Sequence, residues 1–285
     1  MIKKIESIYE VYDFVKKLSY NESTASYPRI LNDEHLINVL KSSIKRETDN
    51  LIACYDKEDK LVGVSSYTWE STNNFMQTTI FLIIDDYDNI ADEIISYFKT
   101  QLTNYNFYIG FPRENKLAVN YFSKKNKYPC IEDSVATYIK NFKNYKKKYN
   151  FNLVHVNKEN FSDYADFHDP IAKNYGIFYD AKNLLDYIDE FVILGLKDND
   201  NYIASIFFKA YENITTVFGL FLDEQYKSMN KEDILIDGML EYLSNTFCEV
   251  GEIIYFIDQV DQNQLKAAYN LGFEKKENYC CYLVK

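Results

Sequence analysis

His168 has the setting that most suggests acid–base chemistry. It lies in Phe167-His168-Asp169-Pro170, where a neighbouring carboxylate and a helix end can tune an imidazole across neutral pH. An imidazole so placed can take a proton from an amine, and only the free amine is a nucleophile. The same tetrapeptide also serves as a plain surface cap at a helix end. His35 and His155 have no comparable neighbours. Tyr175, Phe178 and Tyr179, with Glu190 further on, can line a small-molecule pocket or simply fill a core, and Trp69 with Glu70 ends a strand-like run. The five cysteines, Cys54, Cys130, Cys248, Cys280 and Cys281, contain no Cys-x-x-Cys pair. That argues against a disulfide framework and a thiolate zinc site, so they read as inert thiols and no metal is expected.

The elements that must position these residues are written twice. LIACYD and LVGVSSYTW, joined by KEDK, read as a β-hairpin, and FVILGLK and YIASIFFKAY flank DNDN in the same way. Each hairpin is followed by a further apolar strand, TTIFLII in one half and TTVFGLFL in the other. Helical spacing follows, with Ile90, Ile94, Ile95 and Phe98 first, then Ile234, Leu235, Met239, Leu240 and Leu243. Next come the strands YNFYIGF and EIIYFID, the helices ENKLAVNYFSKK and QNQLKAAYN, and the closing strands SVATYIKNF and NYCCYLVK. The offset is roughly 140 residues, about one domain. The expected class is therefore α/β, with two consecutive domains at 1–144 and 150–285. Each is a mixed, mostly antiparallel sheet flanked by helices on both faces. The Lys- and Asn-rich NFKNYKKKYNFN between them reads as a short connection.

A formal charge of −11 on 285 residues disfavours a nucleic acid or an anionic membrane surface as partner, and suits a neutral or cationic ligand. No apolar run approaches the length of a membrane span, and MIKKIESIYEVYDF lacks the apolar core of a signal peptide, so a cytoplasmic location is expected. The expected state is a monomer or homodimer.

The second half resembles the GNAT acetyltransferase superfamily, and the repeat resembles its tandem members, in which one copy is often degenerate. LFLDEQYKSMNKEDILIDGMLEYL matches the family's strand, pyrophosphate loop and long helix. AAYNLGFEKKENYCCYLVK is similar to its last helix, Gly-Phe turn and final strand, and FSDYADFHDPIAKNYGIFYDAKNLLDYI to the opening helices. The resemblance implies an acyl-CoA-dependent N-acetyltransferase using acetyl-CoA as co-substrate and a small cationic amine or peptide amine as acceptor. Its alternative is an inactive GNAT-fold protein that binds acyl-CoA or a protein partner. An aminoacyl-tRNA-dependent transferase of related fold is disfavoured by the acidic charge.

The resemblance also implies a site. Leu220, Phe221 and Leu222 would hold the pantetheine arm, and Lys227, Ser228, Met229, Asn230, Lys231 and Glu232 would form the loop whose backbone N–H groups meet a pyrophosphate. The family pattern opens on Arg or Gln, where this chain has Lys227, and places Gly where it has Asn230 and Gly or Ala where it has Glu232. Glu232 would repel a phosphate unless Lys227 and Lys231 offset it. A tyrosine of the last helix would protonate the departing thiolate; counting back from Gly272 reaches Ala268, and Tyr269 stands about 100° round the helix from it. The family's asparagine near the start of that helix falls at Asp261 or at Asn263, either of which would hydrogen-bond the pantetheine arm, although Asp261 also reads as a plain helix cap. In the first half, Asp85, Asp86, Tyr87, Asp88 and Asn89, followed by Asp92 and Glu93, offer neither base nor glycine, and Phe122 stands at the acid position. That copy is expected to be degenerate.

Overall fold

The computed structural model describes residues 1–71, 74–124, 128–211, 214–227, 229, 231–247 and 251–285. In chain order the elements are β1 (Ile2–Lys4), α1 (Tyr12–Ser19), α2 (Asp33–Lys45), β2 (Asp49–Tyr55), β3 (Leu61–Glu70), β4 (Phe75–Ile83), α3 (Tyr87–Gln101), β5 (Asn106–Pro112), α4 (Lys116–Lys124) and β6 (Cys130–Lys140). They continue with β7 (Val154–Val156), α5 (Phe161–Asn174), α6 (Ala181–Asp186), β8 (Val192–Asp198), β9 (Asn201–Ala210), β10 (Ile214–Leu222), α7 (Lys231–Thr246), β11 (Glu252–Asp258), α8 (Gln262–Asn270) and β12 (Glu274–Val284). Hairpin, strand, helix, strand, helix, strand is thus repeated, as the sequence pattern required. The chain divides into two compact units, Met1–Ser134 with Glu277–Lys285, and Val135–Lys276. Against the 1–144 and 150–285 of the repeat, residues 135–144 count with the second unit and the last nine residues with the first.

In the first unit the strands run β1-β2-β3-β4-β5-β12. The pairs are antiparallel except β4 with β5, which is parallel. Residues Tyr279 to Val284 of β12 pair with Phe107 to Pro112, and Cys280, Tyr282 and Val284 are buried with Phe81, Phe98 and Phe122. The β2–β3 turn follows from Asp56, whose carboxylate accepts from the N–H of Glu58 and Lys60 at 2.8 and 2.9 Å while Asp59 takes a left-handed φ of 58°. A buried ion pair, Arg29 with Glu277 at 2.5 Å, ties β12 to the loop before α2.

In the second unit the order is β6-β11-β10-β9-β8-β7, with β10 and β11 parallel and β7 to β10 antiparallel. Asn199 and Asp200 in the β8–β9 turn both have positive φ, 47° and 71°, the two-residue turn whose twist matches a hairpin. One apolar face of the sheet lies under α7 and α8 through Leu235, Met239, Leu240, Ala267 and Ala268. The other lies under α5 and α6 through Tyr164, Ala172 and Leu184. Asp237, inside α7, is wholly buried. Its carboxylate accepts from Tyr145 Oη at 2.5 Å and from the N–H groups of Lys148 and Tyr149 at 2.9 to 3.0 Å, so it clamps the segment before β7. Among the described residues no helix is long and apolar enough to cross a membrane.

Candidate functional site

β10 carries the first element of a binding site. Its register with β9 slips at Phe218, between Val217↔Phe208 and Gly219↔Phe207, a β-bulge. Glycine is required beside it, because a Cβ on Gly219 would stand 2.5 Å from the Phe207 ring. The parallel pairing of β10 with β11 runs from Ile214↔Glu252 to Val217↔Tyr255, so Leu220, Phe221 and Leu222 lie beyond its last pair. A side chain meets that edge: Gln264 of α8 donates from Nε2 to the Leu220 carbonyl at 3.3 Å and accepts at Oε1 from Tyr255 Oη at 2.5 Å. Asp261 caps α8 by accepting from Gln264 N–H at 3.0 Å. Gly272, at φ 98°, closes the helix in the Gly-Phe turn.

After β10 the chain enters a short turn in which Asp223 accepts from Gln225 N–H. Lys227 Nζ is 2.6 Å from Glu224 Oε1, and the Lys227 carbonyl accepts from Asn263 Nδ2 at 3.3 Å. Met229 is exposed; Ser228 and Asn230 lie outside the described residues, as does Cys248. Lys231 opens α7 with its ammonium 5.5 Å from the Phe151 ring centroid. Glu232 is 4% exposed. Burial pushes its carboxyl upward from the ordinary glutamate range, with Asp261 and Asp233 adding to the rise and its own backbone N–H opposing it.

Around the bulge lies an aromatic cage. Lys209, 7% exposed, places its ammonium 4.5 Å from the Phe191 centroid and 5.5, 5.7 and 5.8 Å from those of Tyr179, Tyr187 and Phe218. Glu190 Oε2 is 2.6 Å away. Burial opposes the charge on Lys209, but the Glu190 hydrogen bond and nearby phenols outweigh it and raise the pKa. Rings and carboxylate together hold an alkylammonium.

No family model matches the chain, and no curated protein matches it. Solved structures do. A GCN5-related N-acetyltransferase from Sphaerobacter thermophilus superposes with TM-score 0.65 at 6% identity, covering 99% of this chain and 95% of that one. A tandem GNAT protein from the clavulanic acid biosynthesis pathway superposes with TM-score 0.55 at 8% identity, covering 100% and 98%. A GNAT-family acetyltransferase from Colwellia psychrerythraea gives TM-score 0.50 at 12% identity and covers both chains fully. The fold is that of a tandem GNAT protein.

Within this GNAT fold the residues singled out from the sequence separate into two groups. Leu220 to Leu222, Lys227, Asn263, Lys231 and Glu232 come together where β10 ends and α7 begins. The two lysines are otherwise engaged, Lys227 with Glu224 and Lys231 with Phe151. Tyr269 is exposed on α8, whereas Ala268, at the counted position, is wholly buried.

His168 stands apart and is not a surface cap. It is wholly buried, with Nε2 2.7 Å from the Tyr179 carbonyl and Nδ1 2.9 Å from Tyr164 Oη. A carbonyl only accepts, so Nε2 carries the proton and Nδ1 accepts from Tyr164, whose hydroxyl in turn meets Ser205 Oγ at 3.1 Å. Burial lowers the His168 pKa. With both nitrogens engaged, the imidazole has no lone pair left for a substrate amine, and its role in this geometry is to lock α5 onto β9.

Sequence reasoning missed Gln264 and Lys209. The one available signal was a lysine inside the apolar run YIASIFFKAY. In the first unit, Asp86 at the start of α3 takes φ 47°, Asp85 pairs with Lys60 at 2.7 Å, and Phe122 is wholly buried.

The stretch of β10 beyond its last β11 pair, where Gln264 already meets the Leu220 carbonyl, is where the arm of an acyl-CoA would have to lie. At the α7 N-terminus the fit depends on the charge of Glu232. A neutral carboxyl can donate a hydrogen bond to a phosphate oxygen, whereas a carboxylate repels it. Among the described residues no group of His, Cys, Asp and Glu is arranged to hold a metal ion.

Proposed function

We propose that the second unit is an acyl-CoA-dependent N-acetyltransferase acting on a small cationic amine. The observation that carries this reading is β10: bulged at Phe218, beyond the last β11 pair after Val217, and leading to the N-terminus of α7. Acetyl-CoA would supply the activated acyl group. The backbone of Leu220, Phe221 and Leu222, with Asn263, would hold its pantetheine arm. The first-turn N–H groups of α7, with Lys227 and Lys231, would meet its pyrophosphate. Met229, exposed beside them, would border the entrance. Tyr269 is the exposed phenol of α8 and would hold the proton for a leaving thiolate. A cationic acceptor accords with the net charge of −11.

A second reading, an inactive GNAT-fold protein, is favoured by self-occupation. Glu232 is buried at the phosphate end, Gln264 bonds the Leu220 carbonyl, and Lys209 fills the aromatic cage. The test is release of free thiol from acetyl-CoA over a panel of amines: spermidine, glucosamine and a lysine peptide. Amine-dependent release supports the transferase. No release, together with no calorimetric binding of acetyl-CoA to the wild type or Glu232→Gln, sinks it and leaves the second reading.

A further inference from the structure

The first unit keeps the strand geometry on which the second unit's site is built. β4 also bulges, at Thr79, where its register with β3 slips between Tyr67↔Thr78 and Ser66↔Ile80. Its parallel pairing with β5 ends before the bulge, at Gln77↔Tyr108. Beyond that pair β4 runs on to Ile83 and β5 to Pro112, each held on its outer side, by β3 and β12. The two strands therefore part into a cleft, with alternate backbone groups of both walls turned inward.

The cleft holds the chain's own residues Ala25, Ser26 and Tyr27, from the connection between α1 and α2. Phe81 of β4 donates its N–H to Ser26 Oγ at 3.1 Å. Tyr27 donates its N–H to the Gly110 carbonyl of β5 at 2.9 Å, in an isolated antiparallel bridge. Asn115, just before α4, donates from Nδ2 to the Ala25 carbonyl at 2.9 Å, while its Oδ1 caps the helix by accepting from Ala118 N–H at 3.1 Å. Ala25, Ser26 and Asn115 are all buried. Gly110 permits the approach, since a Cβ there would stand 3.3 Å from Tyr27 Cβ and 2.9 Å from the Tyr279 ring.

An extended amide ligand in such a cleft needs a partner on each wall and one at its end, and this segment has taken all three. Its own ends are fixed as well. On one side Thr24 Oγ1 donates to the Leu18 carbonyl at 2.7 Å and Ala25 N–H to the Asn21 carbonyl at 2.8 Å. On the other, Arg29 pairs with the buried Glu277, and Ile30 is buried in one cluster with Leu36 and Leu82. The helix after β4 offers nothing to draw a phosphate in, because its first turn carries Asp88 and no base. We infer that residues 25–27 are a built-in pseudo-ligand, a plug seated where the second unit is proposed to take a pantetheine arm, so that the first unit admits no acyl-CoA. The plug belongs to the first unit and holds whether or not the second transfers an acyl group.

Native-state amide exchange on the full chain, resolved residue by residue, tests it. The Tyr27 and Phe81 amides should exchange within about tenfold of the slowest amides of β3, and saturating acetyl-CoA or pantetheine should leave both unchanged. Faster exchange than that would make the segment a lid, and a change at either amide on adding ligand would mean that the cleft is entered. Either result overturns the inference. A second measurement uses Ser26→Cys, which keeps a side-chain acceptor facing Phe81 N–H. Iodoacetamide should label the introduced thiol only as fast as the whole chain unfolds, with the urea dependence of global denaturation. Cys130, which is exposed, should be labelled in the native state and serves as the internal control. Labelling at position 26 that does not depend on urea would overturn the plug.

Discussion

Glu232 is the residue on which acyl-CoA binding turns. It is the second residue of α7 and 4% exposed, so a phosphate received by the first-turn N–H groups would lie about 6 Å from its carboxyl group. At an effective dielectric of about 20, two unit charges at that distance repel by about 3 kcal/mol, roughly a hundredfold in a dissociation constant. Glu232→Gln keeps the shape and removes the charge. Isothermal titration with acetyl-CoA at neutral pH should therefore show about hundredfold tighter binding in the variant, and Lys227→Glu should reverse much of the gain. The pH dependence follows with a definite sign. The folded pKa of Glu232 is raised above the ordinary value of 4.5, so on acidification it loses its charge earlier than a solvated glutamate does. Wild-type affinity should rise as pH falls toward that range, and the variant should lose this component. Because a raised acid pKa favours folding at low pH and disfavours it above, Glu232→Gln should also raise the melting temperature at neutral pH. Equal affinity of wild type and variant within about twofold would refute the electrostatic reasoning.

Three further outcomes are expected. His168→Ala, measured by urea denaturation, should destabilise by about 3 kcal/mol by opening a cavity and taking the N–H donor from the Tyr179 carbonyl. The folded pKa of His168 is depressed below 6.5, so its share of wild-type stability is present above pH 6.5 and is lost as pH falls through the folded value. Asp237→Ala should cost about 4 kcal/mol in the same assay, because the N–H groups of Lys148 and Tyr149 lose their acceptor, and a cost below about 1 kcal/mol would contradict the clamp. Arg29→Met should destabilise by roughly 3 to 5 kcal/mol by removing the guanidinium paired with the buried Glu277, whereas Arg29→Met/Glu277→Leu should recover most of it. Failure of the double variant to recover would mean that the pair does not act as a unit.

Period-two and period-3.6 patterns are local, and so the repeated order of hairpin, strand, helix and strand was legible from runs such as LVGVSSYTW and from the spacing of Ile234 to Leu243. The β8–β9 turn was equally legible, since Asn and Asp tolerate the positive φ it requires. The meeting of Lys227, Lys231 and Glu232 with Leu220 and Asn263 was also foreseeable, because each residue's place in the repeated element order was already set. What a side chain does once there is not local. Whether Lys227 faces a ligand or Glu224, and whether Glu232 points outward or is buried beside Asp261, depends on neighbours supplied by other elements. His168 can be read as a surface cap in its own tetrapeptide and becomes a core residue because the Tyr164 hydroxyl and the Tyr179 carbonyl satisfy its two ring nitrogens. Lys209 likewise needs rings from three other segments before its buried charge is tolerable. The closing strand makes the same point at the level of whole elements. NYCCYLVK is visibly a strand, but its pairing with β5 is a choice of partner across more than a hundred residues. Strand character belongs to the chain alone, while hydrogen-bond partners and desolvation are properties only the tertiary structure can assign.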